Sequence, residues 1–381
     1  MQNVYLDNAA TTQIRDKVIN KMQTALRVYG NPSSTHSFGR TAKTGIEKAR
    51  KTIAKYLNAH PSEIIFTSGG TEADNMILRC SVRDLMVKTI ITSKIEHHAV
   101  LHTAEELKKE YGIELWFVDL DDDGAPNLNH LEELLQKNDT KKLVSLMHIN
   151  NEIGNILDIN KVSNLCVANK ALLHSDTVQS IGHYEWNLET TKIDFLTAAA
   201  HKFHGPKGIG FAFIRKQSGL KSFISGGEQE RGFRAGTESF HNIIGIEEAF
   251  IESYDNLIEE KKYITSLKEY AIQQIKKEIP KVKFNGLSGT LDKSTYTLIN
   301  VRLPLDQQKA LMLLFHLDLK GIACSKGSAC QSGSTKGSHV LTEILSDEEL
   351  VKPSLRFSFS KNNTKEEIDY TIKVLKEFIE S

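Results

Sequence analysis

The segment AHKFHGPKG at residues 200–208 has the residue types of a covalent cofactor site. Lys202 follows an apolar run and enters a Gly/Pro turn, so its amine lies where a predicted strand ends. A buried lysine can form a Schiff base with an aldehyde cofactor, because burial lowers the pKa of the free amine. The alternative is a lysine that extends from the strand end to solvent. This segment alone leaves both interpretations open.

A second strand-end motif, HSDTVQ at residues 174–179, precedes Lys202 by 26 positions. An aspartate here could hold a proton on the ring nitrogen of a pyridine cofactor, which makes the ring an electron sink. Gln179 could contact the phenolic oxygen of the same ring. Taken alone, an aspartate at this position is more often a helix cap or turn residue.

Two further motifs lie where predicted strands end. TSGGTE at residues 67–72 is a Gly-rich turn before a helix, and the free N–H groups of such a helix start can bind phosphate. Its spacing fits neither a P-loop nor a dinucleotide fingerprint. His97 closes the next strand, and its imidazole could stack on a cofactor ring and move protons. The histidines could instead form a metal cluster, but their spacing is not typical of zinc.

Seven β-rich runs alternate with helical patterns and must position these residues. Several runs are apolar on both faces, which predicts an α/β fold with a mostly parallel seven-stranded sheet. Ligands in such folds bind at the carboxyl ends of strands. The predicted strands are residues 63–68, 89–94, 114–118, 143–149, 171–175, 194–200 and 208–214.

The pattern changes after about residue 240 and predicts a second, α+β domain. It contains a long charged helix, strands at 295–302 and 354–359, and helices near 305–316 and 364–379. We predict a large cofactor-binding domain at residues 15–250. Residues 1–14 and 251–381 form the predicted small domain.

Composition excludes several classes of function. Lys plus Arg and Asp plus Glu both number 48, so the chain lacks the basic surface of a nucleic-acid or membrane-binding protein. We expect small molecules and proteins as partners. The sequence has neither a membrane-length apolar run nor a signal peptide, which favours a cytoplasmic location. Its few dispersed cysteines are typical of reduced thiols, namely Cys80, Cys166, Cys324 and Cys330.

Together these motifs resemble class V, fold-type I pyridoxal-phosphate enzymes, and most closely cysteine desulfurases of the NifS/IscS group. The resemblance covers nearly the whole chain. It also includes YLDNAATT at 5–12, GNPSS at 30–34, HINNE at 148–152 and RGFRAGT at 231–237. GSAC at 327–330 resembles the catalytic-cysteine loop of the group, which moves to carry sulfur outward.

The resemblance implies a pyridoxal 5'-phosphate site. Gly70, Thr71 and His201 would hold the phosphate, and His97 would stack on the ring. Thr237 would reach the cofactor of the other subunit in a homodimer. The full cofactor-binding set is Gly70, Thr71, His97, Asn151, Asp176, Gln179, His201, Lys202 and Thr237.

The resemblance also implies a substrate and a reaction. Arg356 would clamp the carboxylate of L-cysteine, with help from Asn151 and Asn31. Lys202 would move the α-proton with the help of His97, and Cys330 would take up the sulfur as a persulfide while L-alanine is released. The persulfide would then pass to a sulfur-acceptor protein for iron–sulfur clusters, thiolated tRNA or another cofactor. No metal ion is required.

Three departures from the group's pattern bear on these expectations. A serine usually binds the phosphate two residues before His201, where this chain has Ala199; a neighbour such as Thr197 could replace it. The chain stops at Ser381, without the extension that docks the scaffold protein in housekeeping members, so the acceptor stays open. Cys324 is interpreted as a structural thiol rather than a relay cysteine.

Four alternative functions are considered. A selenocysteine lyase would release selenium without needing Cys330, and a class V aminotransferase would leave that thiol incidental. A metal-dependent hydrolase would be colourless and sensitive to chelators. A scaffold protein that retains only the fold is disfavoured by the presence of both Lys202 and Cys330.

Overall fold

The computed structural model describes residues 3–326 and 337–381, and the predicted β-rich runs form its strands. Each strand is bounded by turns or by helix starts. In chain order the strands are β1 (Val4–Tyr5), β2 (Ile64–Thr67), β3 (Thr89–Thr92), β4 (Glu114–Phe117), β5 (Lys142–Ser145), β6 (Leu172–Asp176), β7 (Phe195–Ala199), β8 (Gly210–Ile214), β9 (Lys283–Phe284), β10 (Leu298–Arg302), β11 (Ile322–Ala323) and β12 (Ser354–Ser358).

Seven of these strands form one sheet in the order β2-β8-β7-β6-β5-β3-β4. Strand β8 runs antiparallel to both of its neighbours, and the other four pairs are parallel. This arrangement confirms the predicted α/β fold with a mostly parallel sheet. The prediction of a strand over 143–149 was too long, because β5 ends at Ser145 and the chain then leaves the sheet toward the cavity described below.

Apolar residues on both faces of the sheet explain why helices cover it on both sides. In β5, Leu143 packs into one core cluster and Val144 into another, as alternating side chains of a strand must. The helix that contains Ile46 and Ile53, residues Ser37–Tyr56, packs on the Val144 side. The opposite side is covered by helices that contribute Met76 and Val100, among others.

The helices alternate with the strands through the first part of the chain. The region after residue 240 holds two helices rather than one long helix, since the chain turns at Asn256. In chain order they are α1 (Asp16–Ala25), α2 (Ser37–Tyr56), α3 (Gly70–Leu85), α4 (His98–Tyr111), α5 (Leu128–Gln136), α6 (Ile159–Ala168), α7 (Phe240–Asp255), α8 (Leu257–Glu278), α9 (Gln307–Leu319), α10 (His339–Ile344), α11 (Asp347–Leu350) and α12 (Lys365–Glu380).

A second core forms around the three-stranded antiparallel sheet β12-β10-β9. Strand β1 pairs in parallel with β11, so the first residues of the chain pack beside residues near its end. Val4 and Leu6 are buried in this second core with Leu355. The division into domains at residues 14/15 and 250/251 stays a prediction. Within the described residues, no helix has both the length and the apolar character needed to span a membrane.

Candidate active site

The carboxyl ends of β5, β6 and β7 open into a cavity of about 240 Å³. The N-terminal segment and β12 close its other sides. Nine residues predicted from separate motifs therefore meet in one space, although they span nearly 290 positions of the chain. The cavity is lined by Ala9, Ala10, Gly70, Thr71, Asp74, His97, His98, Met147, Asn151, Asp176, Val178, Gln179, Ala199, His201, Lys202, His339 and Arg356.

Lys202 stands at the end of a 3-10 turn, Ala200–Lys202, that directly follows β7. Its Nζ donates to the carbonyl oxygens of Ala9 and Ala10 at 2.6 and 2.8 Å. The N-terminal segment is held there by Thr12, whose backbone N–H and hydroxyl both donate to the His201 carbonyl. These two neutral carbonyl partners fix the amine beside the cavity.

The turn before α3 has the features of a phosphate cradle. The helix begins at Gly70, and its N-cap Gly69 has no side chain that could occupy the first N–H groups. A Cβ on Gly70 would lie 2.8 Å from Val178 Cγ2, so the backbone approaches its neighbour too closely for a larger residue. His201 lines the same cavity, and its Nδ1 is buried with no hydrogen-bond partner among the described residues. An orphaned imidazole nitrogen beside a free helix start fits an anionic oxygen ligand.

Asp176 ends β6 and presents a carboxylate to the cavity floor. Its oxygen accepts a hydrogen bond from the Val178 N–H at 2.9 Å, which fixes its orientation. Burial raises the pKa of the Asp176 carboxyl, and the neighbouring Asp74 adds to the rise while His97 opposes it. Such a carboxylate gains from a cationic partner, which a protonated ring nitrogen would provide. Gln179 lies on the next turn and donates to the Ala9 carbonyl at 2.9 Å.

His97 is the N-cap of α4, and its Nδ1 accepts a hydrogen bond from the Ala99 N–H at 3.2 Å. This contact leaves Nε2 as the ring nitrogen that faces away from the helix. Burial lowers the pKa of His97, so the imidazole is neutral at neutral pH. A neutral imidazole can stack on a ring and either accept or donate a proton.

Arg356 reaches the cavity from β12 in the second sheet. One guanidinium nitrogen donates to the Asn151 carbonyl at 2.7 Å, and another forms an ion pair with Asp7 at 2.8 Å. The Arg356 Nε is buried and has no partner among the described residues. The side chain is therefore held in place by two contacts and retains N–H groups for a carboxylate ligand.

Asn31 and Thr237 are exposed and do not line this cavity. Asn31 instead accepts a hydrogen bond from the Ser33 N–H at 2.9 Å. Their predicted roles, including the contact of Thr237 with another subunit, stay predictions. Cys330 lies outside the described residues, between Lys326 and Gly337.

Three cysteines fall within the described residues. Cys80 and Cys166 are buried, and Cys324 is half-buried near the cavity wall. Burial raises the pKa of the Cys324 thiol to about 12, and Asp7 adds to this effect. The Cys324 thiol therefore stays protonated at neutral pH and is a poor nucleophile.

Ala199 stands where related enzymes have a phosphate-binding serine, and Thr197 was considered as its replacement. Ala199 lines the cavity, but the Thr197 hydroxyl faces away from it and lies 3.2 Å from His174 Nε2. Thr197 therefore does not replace the serine. Thr71 at the start of α3 is exposed and supplies a hydroxyl on the cradle itself.

Sequence reasoning missed Asp74 and His339 as lining residues, and it considered His98 only as a possible metal ligand beside His97. Asp74 lies one turn after Gly70 on the buried face of α3, where an aspartate among apolar residues is the signal that could have revealed it. His339 begins α10, and its Nε2 lies 2.9 Å from the Glu96 carbonyl oxygen. Histidine at that position has no local pattern that distinguishes it from a surface residue.

Asp74, His97 and Asp176 could together hold a metal ion, because one ligand atom from each lies within 4.8 Å of the others. Burial raises the pKa of the Asp74 carboxyl to about 7, so this carboxyl is only partly ionised at neutral pH. The same position suits the ring nitrogen of a pyridine cofactor beside Asp176. The lysine and the phosphate cradle on the same cavity favour the organic cofactor.

Comparisons with known proteins agree with this geometry. The family model described as "Aminotransferase class-V" matches residues 4–371. The cysteine desulfurase IscS of Dictyoglomus turgidum (strain DSM 6724 / Z-1310) is 41% identical over 382 residues, which cover 100% of this chain and 95% of that protein.

Solved structures extend the comparison to three dimensions. A NifS-like protein superposes with a TM-score of 0.90 and 34% identity and covers all of both chains. A structure described as SspA in complex with cysteine superposes with a TM-score of 0.82 and 29% identity, covering 95% of this chain and 100% of that one. The family match, the fold and the cavity place the chain in the class V aminotransferase family. The chain belongs to the IscS-type cysteine desulfurases within that family.

Proposed function

We propose that the protein is a pyridoxal-phosphate-dependent cysteine desulfurase, with the residue roles given below. The single observation that carries the proposal is the shared cavity, where Lys202, Asp176, the Gly70 turn and Arg356 meet. The overall reaction is L-cysteine plus the Cys330 thiol giving L-alanine plus the Cys330 persulfide. Sulfur moves from the substrate carbon to the protein thiol, and no external oxidant or reductant is required.

Pyridoxal phosphate, when bound, supplies an aldehyde that condenses with amines and a protonated ring that accepts electrons. Gly70, Thr71 and His201 would bind its phosphate. Asp176 would hold the proton on its ring nitrogen, and His97 would lie against the ring. These assignments are supported by the orphaned His201 nitrogen and by the buried, correctly placed carboxylate.

The other residues act on the substrate. Arg356 would bind the carboxylate of L-cysteine and fix the direction of its Cα–H bond toward the Lys202 amine, with Asn151 and Asn31 assisting. Lys202 would accept the α-proton and later return a proton to form alanine. Cys330 would attack the substrate sulfur as a thiolate.

The partners follow from the chemistry. A persulfide is delivered to another thiol by exchange, so the partner is a sulfur-acceptor protein that serves iron–sulfur cluster or thio-cofactor biosynthesis. A homodimer is proposed because exposed Thr237 would then complete the cofactor site of a second subunit. A cytoplasmic location stays part of this proposal.

The experiment that tests the cofactor assignment is borohydride reduction of the loaded protein, followed by peptide mass spectrometry. The proposal predicts one pyridoxyl group on the peptide that contains Lys202, and alanine formation from L-cysteine before reduction. Lys207→Ala, which removes a neighbouring lysine, is the control and should retain the label. A label on any other lysine, or no alanine, would contradict the proposal.

A further inference from the structure

Asp74 is a second buried carboxylate beneath the cavity, and the proposed mechanism does not use it. It lies on α3, one turn after Gly70, and is 1% exposed. Its Oδ1 lies 3.4 Å from His174 Nε2 and has no hydrogen bond within the described residues. One ligand atom each from Asp74, Asp176 and His97 lie within 4.8 Å of one another.

Two polar side chains, Thr197 and His174, lie against Asp74. The Thr197 side chain on β7 forms a hydrogen bond that partly offsets the burial of the carboxyl. His174 on β6 lies beside Asp74, and its Nδ1 is 2.8 Å from Ser145 Oγ. Burial lowers the pKa of His174 to about 4, so this ring is neutral and supplies a hydrogen bond rather than a charge.

The protonation of Glu96 and His97 determines how much negative charge the Asp74 and Asp176 carboxyls carry in this site. Glu96 precedes α4 and is buried, which raises its pKa well above the usual range and favours its protonated form. His97 is neutral, and Lys202 approaches from the end of β7. The Asp74 and Asp176 carboxylates repel each other in one desolvated site, and burial raises the pKa of both, so the pair shares a proton near neutral pH.

We propose that Asp74 is a positioning residue that acts through Asp176. The pair holds one proton in the cofactor-free site, and both carboxylates ionise to stabilise the protonated ring nitrogen when the cofactor is bound. The proton that leaves the pair passes to the ring nitrogen, or to solvent when the ring arrives protonated. This inference rests on the proposed function for its second half only, since the first half concerns the protein without cofactor.

The shared proton of the cofactor-free protein and the two ionised carboxylates of the loaded protein predict opposite effects of one substitution. Asp74→Asn keeps an oxygen that can accept from Thr197 but removes the charge. In the cofactor-free protein it removes a carboxylate that burial disfavours, so it should stabilise the fold. In the loaded protein it removes half of the negative charge that holds the ring proton, so the proton affinity of the ring should fall about tenfold or more.

The stabilisation of the cofactor-free protein by Asp74→Asn should depend on pH in one direction. Burial raises the pKa of the Asp74 carboxyl from 3.8 to about 7, so the folded state binds the proton more tightly than the unfolded state. The wild-type protein therefore loses stability as pH rises from about 4 to about 7. The stabilisation by Asp74→Asn should be small at pH 5 and larger at pH 8.

The test compares wild type, Asp74→Asn and Asp122→Asn, which makes the same change at an exposed position. Thermal unfolding of the cofactor-free proteins is measured at pH 5 and pH 8. Pyridoxal phosphate labelled with ¹⁵N in the ring is then bound to each protein, its Kd is measured by fluorescence titration, and the nitrogen protonation is followed by NMR against pH. Only Asp74→Asn should raise the Tm at pH 8, raise the Kd about tenfold, and lower the ring-nitrogen pKa by about one unit.

The outcomes separate this inference from the proposed function. A purely structural Asp74 would lower the Tm in both forms and leave the ring-nitrogen titration unchanged, which would overturn the inference. Failure of wild-type protein to bind pyridoxal phosphate would overturn the proposed function. In that case the cofactor-free Tm at the two pH values would still decide whether Asp74 and Asp176 share a proton.

Discussion

Replacement of Arg356 by lysine tests whether a fixed guanidinium binds the substrate carboxylate. Arg356→Lys keeps the positive charge but removes the planar pair of donors. In the wild-type protein the guanidinium is 1% exposed and is oriented by Asp7 at 2.8 Å and by the Asn151 carbonyl at 2.7 Å. A lysine amine has three donors, and these two partners would occupy two of them.

The expected loss follows from the hydrogen bonds to the substrate. A hydrogen bond to a charged group contributes about 1.5–3 kcal/mol, and the variant loses one of the two that a bidentate clamp makes. With about 1.4 kcal/mol for each factor of ten, kcat/KM for L-cysteine should fall about 10- to 100-fold. The assay is steady-state alanine formation at saturating cofactor, with cofactor absorbance measured in parallel.

Arg302→Lys is the matched control for this experiment. Arg302 is a buried arginine on the adjacent strand β10, ion-paired with Glu349 at 2.9 Å, and it does not line the cavity. It should lose stability without a comparable loss in kcat/KM. Equal kinetic losses in both variants, or a loss in Arg356→Lys that merely follows cofactor release, would refute the clamp.

Two further predictions concern cofactor binding and stability. Gly70→Ala places a Cβ 2.8 Å from Val178 Cγ2, so it should raise the Kd for pyridoxal phosphate. Val178→Ala in the same chain removes this contact and should restore part of the affinity. If it restores none, the contact with Val178 is not the cause of the loss. Lys268 is fully buried, with Nζ bonded to Ser294 Oγ and the Thr295 carbonyl, and burial lowers its pKa from 10.5 to about 7. The folded state therefore binds this proton less tightly than the unfolded state, so wild type should gain up to about 4 kcal/mol of unfolding free energy between pH 7 and 10. Lys268→Met should lack that gain in urea unfolding, and parallel curves would contradict the assignment.

The sequence predicted the sheet and its catalytic edge because their signals are local. Apolar runs such as residues 143–147 identified buried strands, and Lys202 and Asp176 stood immediately after two of them. Parallel strands carry their carboxyl ends to one edge, so separate motifs could be placed in one site. The phosphate turn was found in the same way, as a Gly-rich strand-to-helix connection.

The missed features depend on contacts between distant parts of the chain. The ion pair of Asp7 and Arg356 joins residues 349 positions apart. A parallel β-bridge between Asp7 and Ser358 brings their two segments together. Asp74 stands among apolar residues of α3, but its place beside Asp176 and His97 follows only from the packing of α3 on β6 and β7. The antiparallel direction of β8 likewise follows from a short connection after Lys202 rather than from the composition of the strand.

The most direct test of the central claim is the fate of sulfur from L-cysteine. Purified protein is incubated with ³⁴S-labelled L-cysteine, alanine is quantified, and the peptide that contains Cys330 is analysed by mass spectrometry beside Cys330→Ala and Cys324→Ala variants. The account predicts one labelled sulfur on Cys330 with an equal amount of alanine in wild type and Cys324→Ala, and neither in Cys330→Ala. Undiminished alanine from Cys330→Ala, or label on Cys324 instead, would contradict it.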